Sequence, residues 1–320
     1  MADILITGGT GFIGSELAKR LMGRGNRVHI LARRTSSLDR LQGAPEKALV
    51  THSVDMGDAA ALSASLSAIN PQRVFHLASM TRPPATMTPF EQSIAFEQDV
   101  LNLLRLVEAL AAMKRPPEAF IRAGTLAEYG AAPIPYREEA REQPLTGYGA
   151  SMVSGTQHLY ALKSHLPFPV ISARLALVYG PRQSTGFLIP LMIERCLKGE
   201  TVVLRNPSEQ RDLIYIDDVV DAFETLSAAL PLETDIINIC TGVAPAMGDV
   251  ARLVAKATGA DPSLIKTGDA PVAGGAAHLV GSPERARSLL GWQARTTIEK
   301  GIQKTVALIR EHPSTVKAAQ

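Results

Sequence analysis

Thr7-Gly8-Gly9-Thr10-Gly11-Phe12-Ile13-Gly14 follows directly on the apolar run Ile4-Leu5-Ile6 and opens a stretch in which Phe12, Ile13, Leu17 and Leu21 recur near helical spacing. A short continuous apolar run is how a strand buried on both faces of a parallel sheet reads. Glycines at 8, 11 and 14, between a predicted strand and a predicted helix, make a dinucleotide loop. Gly8 permits the tight turn, Gly11 lets the backbone approach a pyrophosphate, and Gly14 allows close strand–helix packing. Thr10, Phe12 and Ile13 complete the loop, where the helix N-terminus offers amides and the positive end of its dipole to phosphates.

The strand–helix pattern then repeats. Val28-His29-Ile30-Leu31, Ala48-Leu49-Val50, Val74-Phe75-His76-Leu77, Ala119-Phe120-Ile121 and Val170 to Leu177 read as further strands separated by helical stretches. Such alternation predicts βαβ units and an α/β fold of Rossmann type, a doubly wound parallel sheet with ligands beyond the carboxyl ends of its strands. After Tyr179-Gly180-Pro181 the strands shorten, as in Val202-Val203-Leu204, and helices are expected near 187–198, 217–230, 246–258 and 296–311. We expect a dinucleotide-binding domain over 1–175 and a smaller α/β substrate domain over 176–320, partly interwoven with the first. A chain of 320 residues has room for both.

With 33 basic against 31 acidic residues and no block of like charge, nothing points to nucleic acid. Cys196 and Cys240 are isolated and lack metal-ligand spacing, which fits a reducing compartment. His76 has no second ligand at useful spacing and reads as a packed, hydrogen-bonded residue, so no metal is expected. No leader pattern opens the chain and no apolar run reaches the roughly 18 residues of a membrane span, so the expectation is a soluble cytoplasmic protein with no membrane partner.

The end of the second strand carries Ala32-Arg33-Arg34 where an acidic residue would hold the adenosine ribose of NAD. Arginines there suit the 2′-phosphate of NADP, or are solvated loop charges that can stack on adenine. Asp55 and Met56 end the third strand and Leu77 and Ala78 the fourth. These are the further positions expected along the dinucleotide, with Asp55 toward adenine.

Three segments combine: the glycine loop, Gly124-Thr125-Leu126-Ala127-Glu128-Tyr129-Gly130, and Tyr148-Gly149-Ala150-Ser151-Met152 opening a helix. Together with His76-Leu77-Ala78, Arg174 through Pro181, Gln210 through Asp218 and Leu290-Gly291-Trp292, they resemble the extended short-chain dehydrogenase/reductase family, in particular its nucleotide-sugar epimerases and dehydratases. The resemblance spans nearly the whole chain. It implies that a sugar hydroxyl, usually on carbon 4, is oxidised by hydride transfer to a nicotinamide while Tyr148 takes the proton and Thr125 hydrogen-bonds the same oxygen. Helices near 93–112 and 148–165 resemble the pair through which the family forms homodimers.

The departures from the family pattern narrow what is implied. A tyrosine of pKa about 10 is a poor base at neutral pH, and the family lowers it with a lysine four residues on, where this chain has Met152. The tyrosinate must then be favoured by the nicotinamide ring, by water or by a cation elsewhere, such as Arg82 or Lys163; otherwise the site is silent. The acid–base pair of the 4,6-dehydratases is replaced by Leu126-Ala127, and Glu128, one position on, either takes over proton transfer or sits in a solvated turn. Arg211 matches the family arginine that grips the diphosphate. A second such arginine has no match in Pro271-Val272-Ala273-Gly274-Gly275, and Leu177 stands where the family has asparagine. Phe187, Ile189, Pro190 and Val203 match positions that contact sugar and nucleobase, or are ordinary core. A retained tyrosine with methionine in place of the lysine most resembles the branch of NAD-dependent hexosamine 5,6-dehydratases found in tunicamycin biosynthesis. That resemblance implies UDP-N-acetylglucosamine as substrate, an exocyclic 5,6-alkene as product, and NAD rather than NADP. A UDP-sugar 4-epimerase and a silent NAD(P)-binding sensor are the competing readings.

Overall fold

The computed structural model describes residues 1–45, 47–80, 87–268 and 276–311. The strands are β1 (Asp3–Thr7), β2 (Arg27–Ala32), β3 (Leu49–Ser53), β4 (Arg73–His76), β5 (Ala119–Thr125), β6 (Val170–Leu175), β7 (Leu177–Tyr179), β8 (Val202–Leu204), β9 (Gln210–Arg211), β10 (Leu213–Tyr215), β11 (Ile236–Ile239), β12 (Ile265–Thr267) and β13 (His278–Leu279). The helices are α1 (Phe12–Gly23), α2 (Ala59–Ile69), α3 (Pro89–Phe96), α4 (Asn102–Ala111), α5 (Gly147–Leu162), α6 (Leu188–Lys198), α7 (Ile216–Ala229), α8 (Met247–Thr258), α9 (Glu284–Leu290) and α10 (Ile298–Glu311).

Seven strands form one sheet in the order β11-β6-β5-β4-β1-β2-β3, with every pairing parallel. Successive side chains alternate between its faces. Ile4, Ile6, Ile30, Phe75 and Ile121 join α1 and α7 in one core, while Leu5, Leu31, Val74 and Phe120 join α2, α4 and α5 in the other. Both faces are covered, which is why the strand sequences show no polar alternation. The chain winds outward from β1 to β3, then crosses back to place β4 on the other side of β1. The carboxyl ends of β1 and β4 thus flank the switch point, the usual place for a ligand in such sheets.

The strands β6 and β11 differ from expectation. The strand expected over Val170 to Leu177 stops at Leu175. Ala176 N still bonds Ile239 O, but Leu177 N bonds Asp212 O, so the chain leaves the sheet and β7 pairs with β10. β11, which the sequence did not suggest, returns from the second half of the chain to cover β6. It is held there by Asn238, which accepts from the Tyr129 hydroxyl at 2.9 Å and donates to Tyr136 O at 2.9 Å.

The helix expected near 93–112 begins at Pro89, where Thr88 and Glu91 form a reciprocal cap, and widens into a π turn at Glu97–Leu101 before α4. Helix α5 starts at Gly147, capped by Thr146, whose Oγ1 accepts from Gly149 N at 3.1 Å. That cap puts Tyr148 in the first turn. Beyond β7, two aspartates of the Gln210–Asp218 segment tie loops together. Asp212 accepts from the amides of Thr241, Gly242 and Gly281, and Asp218 from those of Arg295 and Thr296.

Close approach fixes the loop glycines. A Cβ on Gly14 would lie 2.3 Å from Gly8 O, whereas one on Gly23 would meet nothing within 4 Å. Gly14→Ala is expected to cost about 1–3 kcal/mol in urea unfolding and to abolish dinucleotide binding. Gly23→Ala, at the end of the same helix, should be neutral or stabilising by up to about 1 kcal/mol.

Candidate functional site

The glycine loop turns sharply at Gly8, whose φ of +70° favours glycine. A Cβ there would strike the backbone of Leu77 and Ala78 at 2.7 Å, so the loop lies directly on the end of β4. Gly11 is the N-cap of α1 and brings no side chain to the first-turn amides. They are left for an anion, which is the opening a pyrophosphate requires. Thr7 Oγ1 locks the same corner, bonding His76 Nδ1 at 2.8 Å and accepting from Ala78 N at 3.3 Å. Burial pushes His76 down to about 3, so the imidazole is neutral. It is the packed residue its sequence context suggested. Arg33 and Arg34 are exposed at the end of β2. Asp55 is exposed too, its carboxylate accepting from Gly57 N at 2.9 Å, and Met56 is partly buried beside the second core.

Thr125 ends β5; its hydroxyl accepts from the Ala127 amide at 3.2 Å and lies near enough to Tyr148 to favour its ionised form. Burial, reinforced by the negative charges of Asp99 and Glu128, pushes Tyr148 up to about 12, while Arg122 and Thr125 act in the opposite direction. In the protein alone Tyr148 is therefore a phenol that needs a nearby positive charge before it serves as a base.

Met152 is buried one turn along α5 from Tyr148. Its sulfur accepts from Ser79 Oγ at 3.4 Å and from Arg122 Nη2 at 3.7 Å, and the same Nη2 donates to Met152 O at 3.0 Å. Arg122 Nη1 donates to Thr156 Oγ1 at 2.9 Å. Of the two cations suggested for the missing lysine, Lys163 does not fill this place. Lys163 lies fifteen residues from Tyr148 in the chain, on the order of 20 Å along the helix, and pairs with Asp235 at 2.6 Å on the surface. Arg82 lies outside the described residues.

Glu128 is not in a solvated turn. It is wholly buried; Oε1 accepts from Thr125 N at 3.0 Å, and Oε2 accepts from Thr156 Oγ1 at 2.9 Å and Arg174 Nε at 2.8 Å. Arg122 approaches Oε1 at 4.0 Å, and Arg174 also pairs with Glu142 at 2.5 Å. The sequence reading passed over Arg122 and Asp99. Arg122 carried a signal, a charge inside the apolar run Phe120-Ile121-Arg122-Ala123, whereas Asp99, after Glu97-Gln98, carried none.

On the substrate side, Phe187 and Val203 are exposed, as is Leu177. Ile189 and Pro190 are buried in α6, and Ile189 belongs to the main core. Arg211 is already engaged, donating to Glu209 Oε2 at 2.6 Å and to the carbonyls of Gln210 and Ala277. A diphosphate gripped by this fork would have to displace Glu209. Residues 271–275 lie outside the described residues.

This geometry coincides with a wide group of known proteins. Over 96% of its length the chain is 29% identical to a UDP-glucose 4-epimerase of Mycolicibacterium smegmatis, of which it covers 98%. It superposes with a TM-score of 0.86 on the UDP-glucose 4-epimerase of Thermotoga maritima solved with UDP-glucose, at 25% identity, covering 96% of this chain and 98% of that one. MoeE5, solved with UDP-glucuronic acid and NAD, gives a TM-score of 0.84 at 27% identity over 97% of this chain and 99% of its own. Residues 4–240 match the model of the NAD dependent epimerase/dehydratase family, and the chain belongs to that family.

Proposed function

We propose that this protein is an NAD-dependent UDP-sugar 4-epimerase. One observation carries the choice within the family: the only carboxylate beside Thr125 and Tyr148 that the sequence offered for elimination chemistry, Glu128, has both oxygens held by buried partners. Dehydration needs an acid and a base for the leaving hydroxyl. Epimerisation needs only removal of the proton from the carbon-4 hydroxyl and the hydride from carbon 4, rotation of the keto sugar, and return of the hydride to the other face of carbon 4 and of the proton to the oxygen. In this reading Tyr148 Oη takes and returns the hydroxyl proton, and Thr125 orients the same oxygen. The loop from Gly8 to Gly14 and the amides of Phe12 and Ile13 hold the pyrophosphate, and Arg33, Arg34, Asp55, Met56, Leu77 and Ala78 lie along the dinucleotide. NAD, when bound, accepts and returns the hydride and brings a positive charge to the tyrosine. Phe187 and Val203 form the exposed apolar wall against which a sugar and base rest, and Arg211 takes the diphosphate. The M. smegmatis and T. maritima relatives, both UDP-glucose 4-epimerases, support the same reading.

A second reading, the UDP-N-acetylglucosamine 5,6-dehydratase, is favoured by Met152 in place of lysine. A homodimer is supported by Phe90, Ile94, Leu101 and Tyr160, large apolar side chains left exposed on α3, the π turn and α5.

Incubation with NAD and either UDP-glucose or UDP-N-acetylglucosamine, followed by mass spectrometry and proton NMR, is expected to give a product of unchanged mass and galacto configuration. Loss of water with new vinyl signals would establish the dehydratase instead. No turnover of any sugar nucleotide by protein with NAD bound would leave a silent binder. Tyr148→Phe should lower kcat by about 10²–10⁴ with little change in KM. Glu128→Gln should cost about 3–5 kcal/mol in chemical denaturation, because it leaves Arg174 buried with a weaker partner; a stable variant with kcat alone reduced would return Glu128 to the role of proton shuttle. Phe90→Asp should shift the protein from dimer to monomer in light scattering.

A further inference from the structure

We propose that Arg122 is the fixed cation of the Tyr148 site, a positioning residue standing in for the absent lysine, and that residue 152 is uncharged because Arg122 occupies the space beneath it. This inference rests on Tyr148 being the proton-transfer group, whichever sugar reaction follows.

The geometry is specific. Arg122 enters from β5, and its guanidinium lies under the second and third turns of α5. It binds that helix at three points: Met152 O, Met152 Sδ and Thr156 Oγ1. The helix has been cut away to admit it. A Cβ on Gly155 would lie 2.6 Å from Arg122 Nη2 and 2.9 Å from Cζ, so no larger residue fits at 155 while the arginine stays. A thioether is the side chain that suits position 152, since it accepts weakly from the guanidinium and carries no charge to oppose it. An ammonium there would lie against a buried guanidinium with no water between them, and that repulsion is strong at low dielectric.

The charged and titratable groups around Arg122 come from every neighbouring element. They are Tyr148 on α5, Asp99 on the π turn, Glu128 after β5, Arg174 on β6 and neutral His76 on β4. Glu128 is shared with Arg174, which holds it by the shorter contact, 2.8 Å against 4.0 Å. Asp99 is shared with the Met80 amide, which donates to its Oδ1 at 2.8 Å. The Arg122 guanidinium is thus held against Met152, one helical turn along α5 from Tyr148. Because Arg122 makes no contact with sugar or cofactor in this scheme, its effect is read on Tyr148 alone.

The test needs no substrate. The protein is produced with 3,5-difluorotyrosine, saturated with NAD, and titrated by fluorine NMR, with Tyr148→Phe identifying the Tyr148 resonance among the 6 tyrosines. Arg122→Met should raise the Tyr148 midpoint by about one unit, a tenfold loss of tyrosinate at a given pH, and Arg122→Lys should recover most of that shift. Met152→Lys should melt several degrees lower and leave the midpoint unlowered, because the new amine sheds its proton beside Arg122. Arg122→Met combined with Met152→Lys should restore both the midpoint and the melting temperature. The proposal fails if Arg122→Met folds, binds NAD and titrates like the unmodified protein. It fails equally if Met152→Lys is as stable as its parent and lowers the midpoint, an arm that decides the matter should Arg122→Met not fold. Absence of sugar turnover would count against the proposed reaction and leave these titrations unaffected.

Discussion

The carboxylate of Glu128 holds the catalytic half of the molecule in register. It closes the turn after β5 through the Thr125 amide, reaches α5 through Thr156, and pairs with Arg174 on β6. The end of β5 and helix α5, which present Thr125 and Tyr148, are therefore fastened together with β6 to one buried anion. Arg174 extends the fastening outward, lying 4.4 Å over the ring of Tyr129 and pairing with Glu142. A buried ion pair of this kind contributes little net stability against an apolar replacement, but it makes loss of any one member costly. Its value here is geometric, because a proton-transfer pair tolerates little drift.

The same low dielectric that strengthens these contacts penalises a charge on Tyr148. In the proposed reaction Tyr148 would ionise next to Glu128 and Asp99, in a site whose burial favours the phenol. Such a phenol is inert near neutrality unless positive charges lie within reach. Oxidised dinucleotide would be one of them, present only in the loaded protein, so in the proposed mechanism binding and base activation are coupled without any moving part.

Much of the fold was legible because parallel strands buried on both faces leave unbroken apolar runs, as in Ile4-Leu5-Ile6, and because the glycine loop admits few other backbones. β11 was missed because four residues of the pattern Ile-Ile-Asn-Ile, at an edge and far along the chain, look no different from a short strand of the second half. The break after Leu175 was hidden for the opposite reason: β6 and β7 form one apolar run, and only the competing hydrogen bond from Leu177 to Asp212 separates them. In the site, Thr125, Tyr148 and Met152 were picked out by the resemblance to family motifs, which are local in sequence. The partners of Glu128 were not, since Thr156, Arg174 and Arg122 come from three elements and meet only through tertiary packing. For the same reason a solvated turn was an open reading for a residue that is wholly buried.

The late return of β11 bears on how the chain is made. β6 is buried along its whole length, yet its outer neighbour lies more than sixty residues further on, beyond α7. While those residues are still inside the ribosome, the emerging domain presents an apolar strand with an open row of amides and carbonyls, the kind of edge on which chains stack. Domains fold in order of synthesis, and non-local pairings form slowly. The interval between translation of Leu175 and of Ile239 is therefore the period in which a nascent chain of this protein most needs the protection of a chaperone.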